Sequence, residues 1–420
     1  MSSFSILFVC FFLLNIALRL YLENRQIRHI LLHRDAVPAQ FANKINLTAH
    51  QKAADYTIAK TKVNLTQMQI GAFVVLGFTL LGGLELLSHT LFAFTNGGMT
   101  YQISLIVAFF VISALIDLPI EYYKQFVIEE RFGFNKMTPT LYVVDLIKGL
   151  IIGSAIGLPL LWVTLSLMEG MGNAWWFYCW LIWCAFQLLM LIIYPTFIAP
   201  LFNKFTPLTD QSLRNRIEDL MHRTGFTNNG LFVMDGSKRS AHGNAYFSGL
   251  GSAKRIVFFD TLLERLNVPE IEAVLAHELG HFKLKHVIKR IGFMFILSFL
   301  FLALLGYLKN QAWFYVGLGV TPILMDSNNA MALILFIIAL PVFTFIFSPV
   351  TSWFSRKHEF EADAFAAQYS PAQDLINALV KLYEDNASTL TPDPLYSTFY
   401  HSHPPASIRI SELEKLKSTT

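Results

Sequence analysis

The sequence predicts a mostly α-helical membrane protein, with seven transmembrane helices and a small α+β domain on one side of the bilayer. Three observations predict it. Hydrophobic residues make up 54% of the 420 residues and charged residues only 15%, with 38 Phe, whereas soluble domains carry about 25% charged residues. Seven stretches reach the roughly 20 apolar residues that cross a bilayer core, at 3–22, 70–94, 101–123, 141–168, 174–200, 288–308 and 329–353. Two further segments, 202–287 and 354–420, are polar enough to fold in water.

The first stretch has no basic n-region, too long an apolar run and no small-residue cleavage site, so it reads as an uncleaved span rather than a signal peptide. Loop charge sets the orientation. Arg25, Arg28, Arg34, Lys44, Lys52, Lys60 and Lys62 follow span one, and Lys124, Arg131 and Lys136 follow span three. The connections 95–100 and 169–173 carry no Lys or Arg, and the one after span six carries only Lys309. The positive-inside rule then puts the N-terminus outside and both polar segments in the cytoplasm. The sequons at Asn46, Asn64 and Asn386 would face the cytoplasm and are chance matches. The chain divides into 1–201 (spans one to five), 202–287 (first part of the soluble domain), 288–353 (spans six and seven) and 354–420 (second part). A net charge of +3 gives no reason to expect a nucleic-acid partner. Cys10, Cys179 and Cys184 lie in apolar runs and form no CxxC pair or disulfide framework. Glu85, His89, Asp117, Glu121, Asp145 and Lys148 fall within the spans. Snorkelling accounts for those near span ends, while Asp117 and Lys148 call for a bundle interior or water.

In the first polar segment, 208–224 reads as an amphipathic helix and 229–234 as a strand. The alternating runs 244–250 and 255–259 read as a hairpin. Pro269-Glu270 opens a helix that runs through Ala276. Gly236-Ser237-Lys238 lacks the upstream glycine spacing of a phosphate loop, and no dinucleotide fingerprint is present.

That last helix carries His277-Glu278-Leu279-Gly280-His281. Residues i and i+4 share a helix face, so both imidazoles can hold one metal, with Glu278 on the flank as the base that takes a proton from water. About 0.01 such matches are expected by chance in a chain of this composition. A catalytic zinc takes three protein ligands and keeps one position open. The run 355–363 (Ser-Arg-Lys-His-Glu-Phe-Glu-Ala-Asp) supplies the third. Glu359 and Asp363 share a face there, as ligand and supporting carboxylate, while Glu361 points roughly opposite and His358 lies off that face. The bland alternative is a solvated acidic helix.

With these motifs together the chain resembles the integral-membrane gluzincins of the CAAX prenyl protease type 1 family. Glu129-Glu130-Arg131-Phe132-Gly133-Phe134-Asn135, Ala199-Pro200-Leu201-Phe202-Asn203, Asn244-Ala245-Tyr246-Phe247 and His403-Pro404-Pro405 with Arg409 resemble that family's further motifs, in order and over nearly the whole chain. The resemblance implies one Zn2+ per chain on His277, His281 and Glu359, with Glu278 activating water and Asp363 as supporting residue or proton donor. It also implies His403 as oxyanion donor helped by Arg409, and a substrate strand with Asn244, Ala245 and Tyr246, Asn244 being the backbone clamp. The spans would enclose a water-filled chamber capped by the zinc domain. Enzymes of this family remove the last three residues of prenylated proteins, so the expected partners are a peptide or protein substrate, with or without a C-terminal lipid, and membrane lipids. A monomer is expected. Two rivals are a quality-control endopeptidase of broad specificity and a channel or transporter with a structural zinc. The absence of large insertions points to a bacterial inner-membrane member, with the endoplasmic reticulum as the location if the chain is eukaryotic.

Overall fold

The structure, a computed structural model, describes residues 2–226, 230–248, 255–322 and 327–417. The apolar runs become helices that outlast the bilayer. α1 (Ser3–His33) starts where the Ser2 side chain accepts the Ser5 N–H, and continues well past its apolar stretch. α2 (Leu47–Phe78) starts at Asn46, whose side chain accepts the Ala49 N–H. The connection between them is not a free loop, because Phe41 and Ile45 are buried in the core of the soluble domain. The expected span 70–94 is broken. α2 stops at Phe78 and α3 (Gly83–Thr95) leaves it at a 56° bend. Gly82 takes φ +79 there, and a Cβ on Gly83 would sit 2.4 Å from the Gly77 carbonyl oxygen, so only glycine permits this turn. α4 (Gly98–Tyr123) continues into a π-helical turn, Lys124–Glu129. α5 (Pro139–Gly170) and α6 (Trp175–Ile193) follow, the latter running through a second π turn, Tyr194–Ile198, into α7 (Ala199–Phe202).

The soluble domain opens with β1 (Phe205–Pro207), α8 (Gln211–Thr224) and β2 (Leu231–Met234). Then come β3 (Ala245–Ser248), β4 (Arg255–Phe259), α9 (Asp260–Arg265) and α10 (Val268–Lys283). The sheet order is β1-β2-β4-β3, with β2 and β4 parallel and the other pairs antiparallel. β3 and β4 pair with Ala245 opposite Phe258, as the alternating pattern predicts. Residues 229, 249 and 250, the outer ends of two expected strands, lie outside the described residues. α10 begins with a capping box: Asn267 and Glu270 each accept the other's backbone N–H.

α11 (His286–Leu308) is the sixth span, and the short α12 (Ala312–Gly317) follows it. α13 (Asn329–Thr344) passes through a 3-10 turn, Phe345–Phe347, into α14 (Ser348–Tyr369), so the seventh span runs on into the soluble domain. α15 (Ala372–Asp385), α16 (Pro394–Tyr400) and α17 (Ala406–Lys417) close the domain.

Among the described residues, six helices are long and apolar enough to cross a membrane, or seven if the bent α2–α3 pair is one span. Their buried side chains cluster at one end of the bundle: Phe8 and Tyr101 near the starts of α1 and α4, Leu165 and Met168 near the end of α5, Trp175 at the start of α6, Leu305 near the end of α11. Away from that plug the walls are thin. Of the apolar windows, 6% of Pro139–Gly170 and 0% of Gly172–Phe202 are buried. A helix exposed on its lipid flank and also on the opposite one borders a hollow, and the spans enclose a chamber between the plug and the soluble domain. The intramembrane charges follow this plan. Asp145 on α5 receives a two-nitrogen ion pair from Arg239 at 2.9 and 3.1 Å, which ties the wall to the soluble domain, and Lys148 donates to the Leu201 carbonyl of α7 at 2.9 Å. Asp117 makes no hydrogen bond among the described residues.

Candidate metal centre and active site

α10 and α14 approach closely because small residues meet: a Cβ on Gly280 would lie 3.1 Å from the Ala362 Cα. Ala276, Ala362 and Ala366 are fully buried along the seam. That contact lowers Glu359 onto the two histidines. The Nε2 atoms of His277 and His281 are 3.2 Å apart, and Glu359 Oε1 lies 3.4 Å from His281 Nε2 and Oε2 3.6 Å from His277 Nε2. Tetrahedral zinc with bonds of about 2.0–2.1 Å separates its ligand atoms by roughly 3.3 Å, so this triangle has the right size. Its electronics also fit. The Nδ1 of His277 is 2.8 Å from Asp363 Oδ1, and the Nδ1 of His281 is 3.1 Å from His286 Nδ1. With Nδ1 protonated on both rings, two Nε2 lone pairs and a carboxylate converge on one point, which only a cation makes favourable. Among the described residues, the buried Glu359 Oε2 accepts no hydrogen bond of good geometry, although His403 Nδ1 is 2.8 Å away.

Glu278 stands out on α10. In the stretch 270–280 every other residue is buried, and Glu278 alone is half-exposed. It lines two cavities that meet at the triad. One, of about 1000 Å³, lies on the side of the spans and is lined by Met190, Tyr194, Phe293 and Phe354. The other, of about 510 Å³, lies on the soluble side and reaches Tyr56, Lys60 and His242. His403 lines both and is 65% exposed, so it borders the space where a substrate would sit.

Arg409 lines only the smaller cavity. It is buried, with Nε and Nη2 each 2.7 Å from an Asp363 oxygen and Nη1 3.6 Å from Glu359. Burial alone would push its guanidinium down, but the facing carboxylates of Asp363 and Glu359 outweigh that and raise it above its ordinary range. Its guanidinium is held by these two carboxylates. β3 is an edge strand beside α10. Because Phe259 N–H donates to the Asn244 carbonyl at 3.0 Å, the alternation of an antiparallel pair turns the backbone groups of Ala245 and Phe247 toward the open edge. The Asn244 side chain accepts the Ala245 N–H at 2.8 Å, so it covers part of that edge rather than reaching out. Tyr246 lines the larger cavity and Ala245 the smaller. Sequence reasoning missed His286, which carries no motif of its own and sits at the start of an apolar span; its spacing of five from His281 was the available signal.

Comparison with known proteins bears on this geometry. Residues 26–204 match the family described as CAAX prenyl protease N-terminal, five membrane helices, and residues 207–417 match peptidase family M48. A CAAX prenyl protease 1 homolog of Dictyostelium discoideum is 34% identical over 99% of this chain and 98% of its own. The CAAX prenyl protease 1 of Saccharomyces cerevisiae is 39% identical over 72% and 70% respectively. A crystal structure of S. mikatae Ste24p superposes with a TM-score of 0.91 at 33% identity, covering 98% of this chain and 99% of that one. The chain belongs to the CAAX prenyl protease 1 family of M48 peptidases. It is therefore a multi-pass membrane metallopeptidase, and a transporter with a structural metal is set aside. The relatives named here are eukaryotic, against the expectation of a bacterial member. Chain length carried no such signal, since the Dictyostelium relative is matched almost end to end.

Proposed function

We propose that this M48 peptidase cleaves peptide bonds near the C-terminus of membrane-anchored substrates, as the name of its CAAX prenyl protease relatives suggests, at a zinc held by His277, His281 and Glu359. The convergence of three lone-pair donors at 3.2–3.6 Å beside the half-exposed Glu278 carries the reading. A zinc held there would supply Lewis acidity to the attacking water and to the scissile carbonyl. The residues do the rest. A Glu278 carboxylate oxygen takes the proton of the attacking water and returns it to the leaving amine nitrogen. His403 donates to the developing oxyanion from its Nε2, which makes no hydrogen bond among the described residues. Arg409 holds Asp363, and Asp363 holds the His277 ring in the tautomer that presents Nε2. The outward backbone groups of Ala245 and Phe247 add the substrate to the sheet edge as an extended strand, with Asn244 yielding the Ala245 N–H and Tyr246 flanking the substrate. The apolar walls of the larger cavity suit a lipid or apolar segment upstream of the cut.

All these groups come from one chain, so a monomer suffices. The Lys/Arg bias puts the zinc domain on the cytoplasmic side, and the eukaryotic relatives favour the endoplasmic reticulum over a bacterial inner membrane. The test uses purified protein with a farnesylated CAAX peptide and its unmodified counterpart, products being read by mass spectrometry. Release of a tripeptide from the farnesylated peptide is expected. Equal and scattered cleavage of both would instead describe a broad-specificity endopeptidase. Glu278→Gln keeps shape and ligands but removes the base, so zinc content should stay at about one per chain while turnover falls at least ~10²-fold. Wild-type turnover in that variant removes Glu278 from the mechanism.

A further inference from the structure

The chain carries a third histidine five residues past His281, at the junction of α10 and α11. Lys285 adopts φ 59 there, which turns the chain and buries His286 as the first residue of α11, 4% exposed. The His286 ring meets that of His281 edge-on, with Nδ1 facing Nδ1 at 3.1 Å. Its Nε2 is 2.8 Å from Glu361 Oε2. The His358 ring lies flat against it, 4.1 Å between centroids and 12° between planes, which fixes the plane of the His286 ring.

Two ring nitrogens at 3.1 Å need one proton between them. His281 turns Nε2 toward His277 and Glu359, so a metal-binding His281 carries its proton on Nδ1. His286 must then accept at Nδ1, which places its own proton on Nε2, where the Glu361 carboxylate accepts it. Each hydrogen along the chain has one consistent position. His277 has a shorter version of the same support, with Asp363 directly behind its Nδ1.

We propose that Glu361 and His286 form a two-step positioning relay that fixes the tautomer and ring orientation of His281 and tightens its hold on the metal. This deepens the zinc reading above and rests on it. His286, His358 and Glu361 also offer ligand atoms within 4.8 Å of one another, close enough for a second cation. Against that, both nitrogens of His286 are engaged, and Lys357 Nζ stands 3.9 Å from Glu361.

The test is chelator competition for zinc with dipicolinate on the full chain in detergent, with the melting temperature of the zinc-free protein measured beside it. His286→Leu should weaken zinc binding by roughly 10–100-fold, the usual effect of losing such a support. His286→Asn, whose Oδ1 can replace Nδ1 as acceptor, should recover most of the loss. Glu361→Leu should weaken binding, and Glu361→Gln, which still accepts from Nε2–H, should stay near wild type. Zinc-free melting should be unchanged throughout. Wild-type zinc retention in His286→Leu, or no recovery in His286→Asn, overturns the relay. So does a fall in zinc-free melting that tracks the loss, because that marks scaffolding. A second zinc per chain that disappears in His358→Ala would make the cluster a cation site and also overturn it. Glu359→Ala in the same assay tests the underlying reading: if that variant keeps its zinc, the ligand set itself is wrong, whatever His286 does.

Discussion

The α10–α14 seam and the α5–α6 wall are both built from long helices, yet they use small residues in opposite ways. At the seam, Gly280 and Ala362 bring two backbones together and nearly every residue from 270 to 280 is buried. On the wall, Gly149, Gly153 and Gly157 lie one turn apart with nothing among the described residues within 4 Å of where a Cβ would be. The seam holds ligand atoms to within a few tenths of an ångström, and such precision needs side chains locked by packing and by supporting hydrogen bonds. The wall needs only to be apolar toward lipid and to leave room inside. Lipid provides no hydrophobic force between helices, so nothing obliges wall helices to pack along their length. Rigidity sits where chemistry is done, and hollowness where a substrate enters.

The largest effect should come from the charge pair behind the seam. Arg409→Leu leaves the buried Asp363 carboxylate without its counter-ion, with only the His277 ring still bonded to it, and breaking a buried pair from one side costs about 3–5 kcal/mol. A lower melting temperature and loss of zinc should appear together. Arg409→Leu with Asp363→Asn should melt closer to wild type, because no uncompensated charge remains. A single variant that melts and binds zinc like wild type would place Arg409 outside the framework of the metal centre.

Gly280→Ala should follow. The added methyl meets the Ala362 backbone at 3.1 Å, where no flexible side chain can give way. Overpacking of that kind costs about 1–3 kcal/mol. Any separation of α14 from α10 also carries Glu359 away from the histidines, so zinc affinity should fall along with the melting temperature. Unchanged zinc binding would show that the seam has slack.

These variants also mark what the sequence could and could not reveal. The histidine pair, Glu278 and the helix start at Pro269-Glu270 are local patterns, legible because short-range spacing alone brings their members together. Glu359 and Asp363 were legible as a shared face, and the structure sets that face against α10. The partner of Arg409 was not legible, since 46 residues separate it from Asp363 and no periodicity links them. Nothing in the sequence marks Gly280, because its close approach to Ala362 exists only once α14 packs. The second span read as continuous, because hydropathy is blind to the positive φ of Gly82 that bends it. The helical extensions of α1 and α2 were hidden by their polarity: they lie beyond the bilayer and are held by Phe41 and Ile45 in the soluble core.

The smallest effect is the one the wall predicts. Gly149, Gly153 and Gly157 recur every four residues, so they share one face, the spacing at which transmembrane helices often dock closely. If another helix sat on that face, Gly153→Leu would force it away and the protein would melt earlier. The structure leaves the face open and exposed. Replacing an exposed residue away from any contact usually changes stability by no more than about 0.5 kcal/mol. The helix-propensity gain expected in water should also be small, because a bilayer keeps the backbone hydrogen-bonded even when helices separate. Gly153→Leu should therefore melt within experimental error of wild type and keep its zinc affinity, while both fall in Gly280→Ala. Peptidase activity then becomes informative, since the leucine changes the wall without touching the seam. If Gly153→Leu destabilises as much as Gly280→Ala, the stripe is a packing face, and the wall is no looser than the metal centre it surrounds.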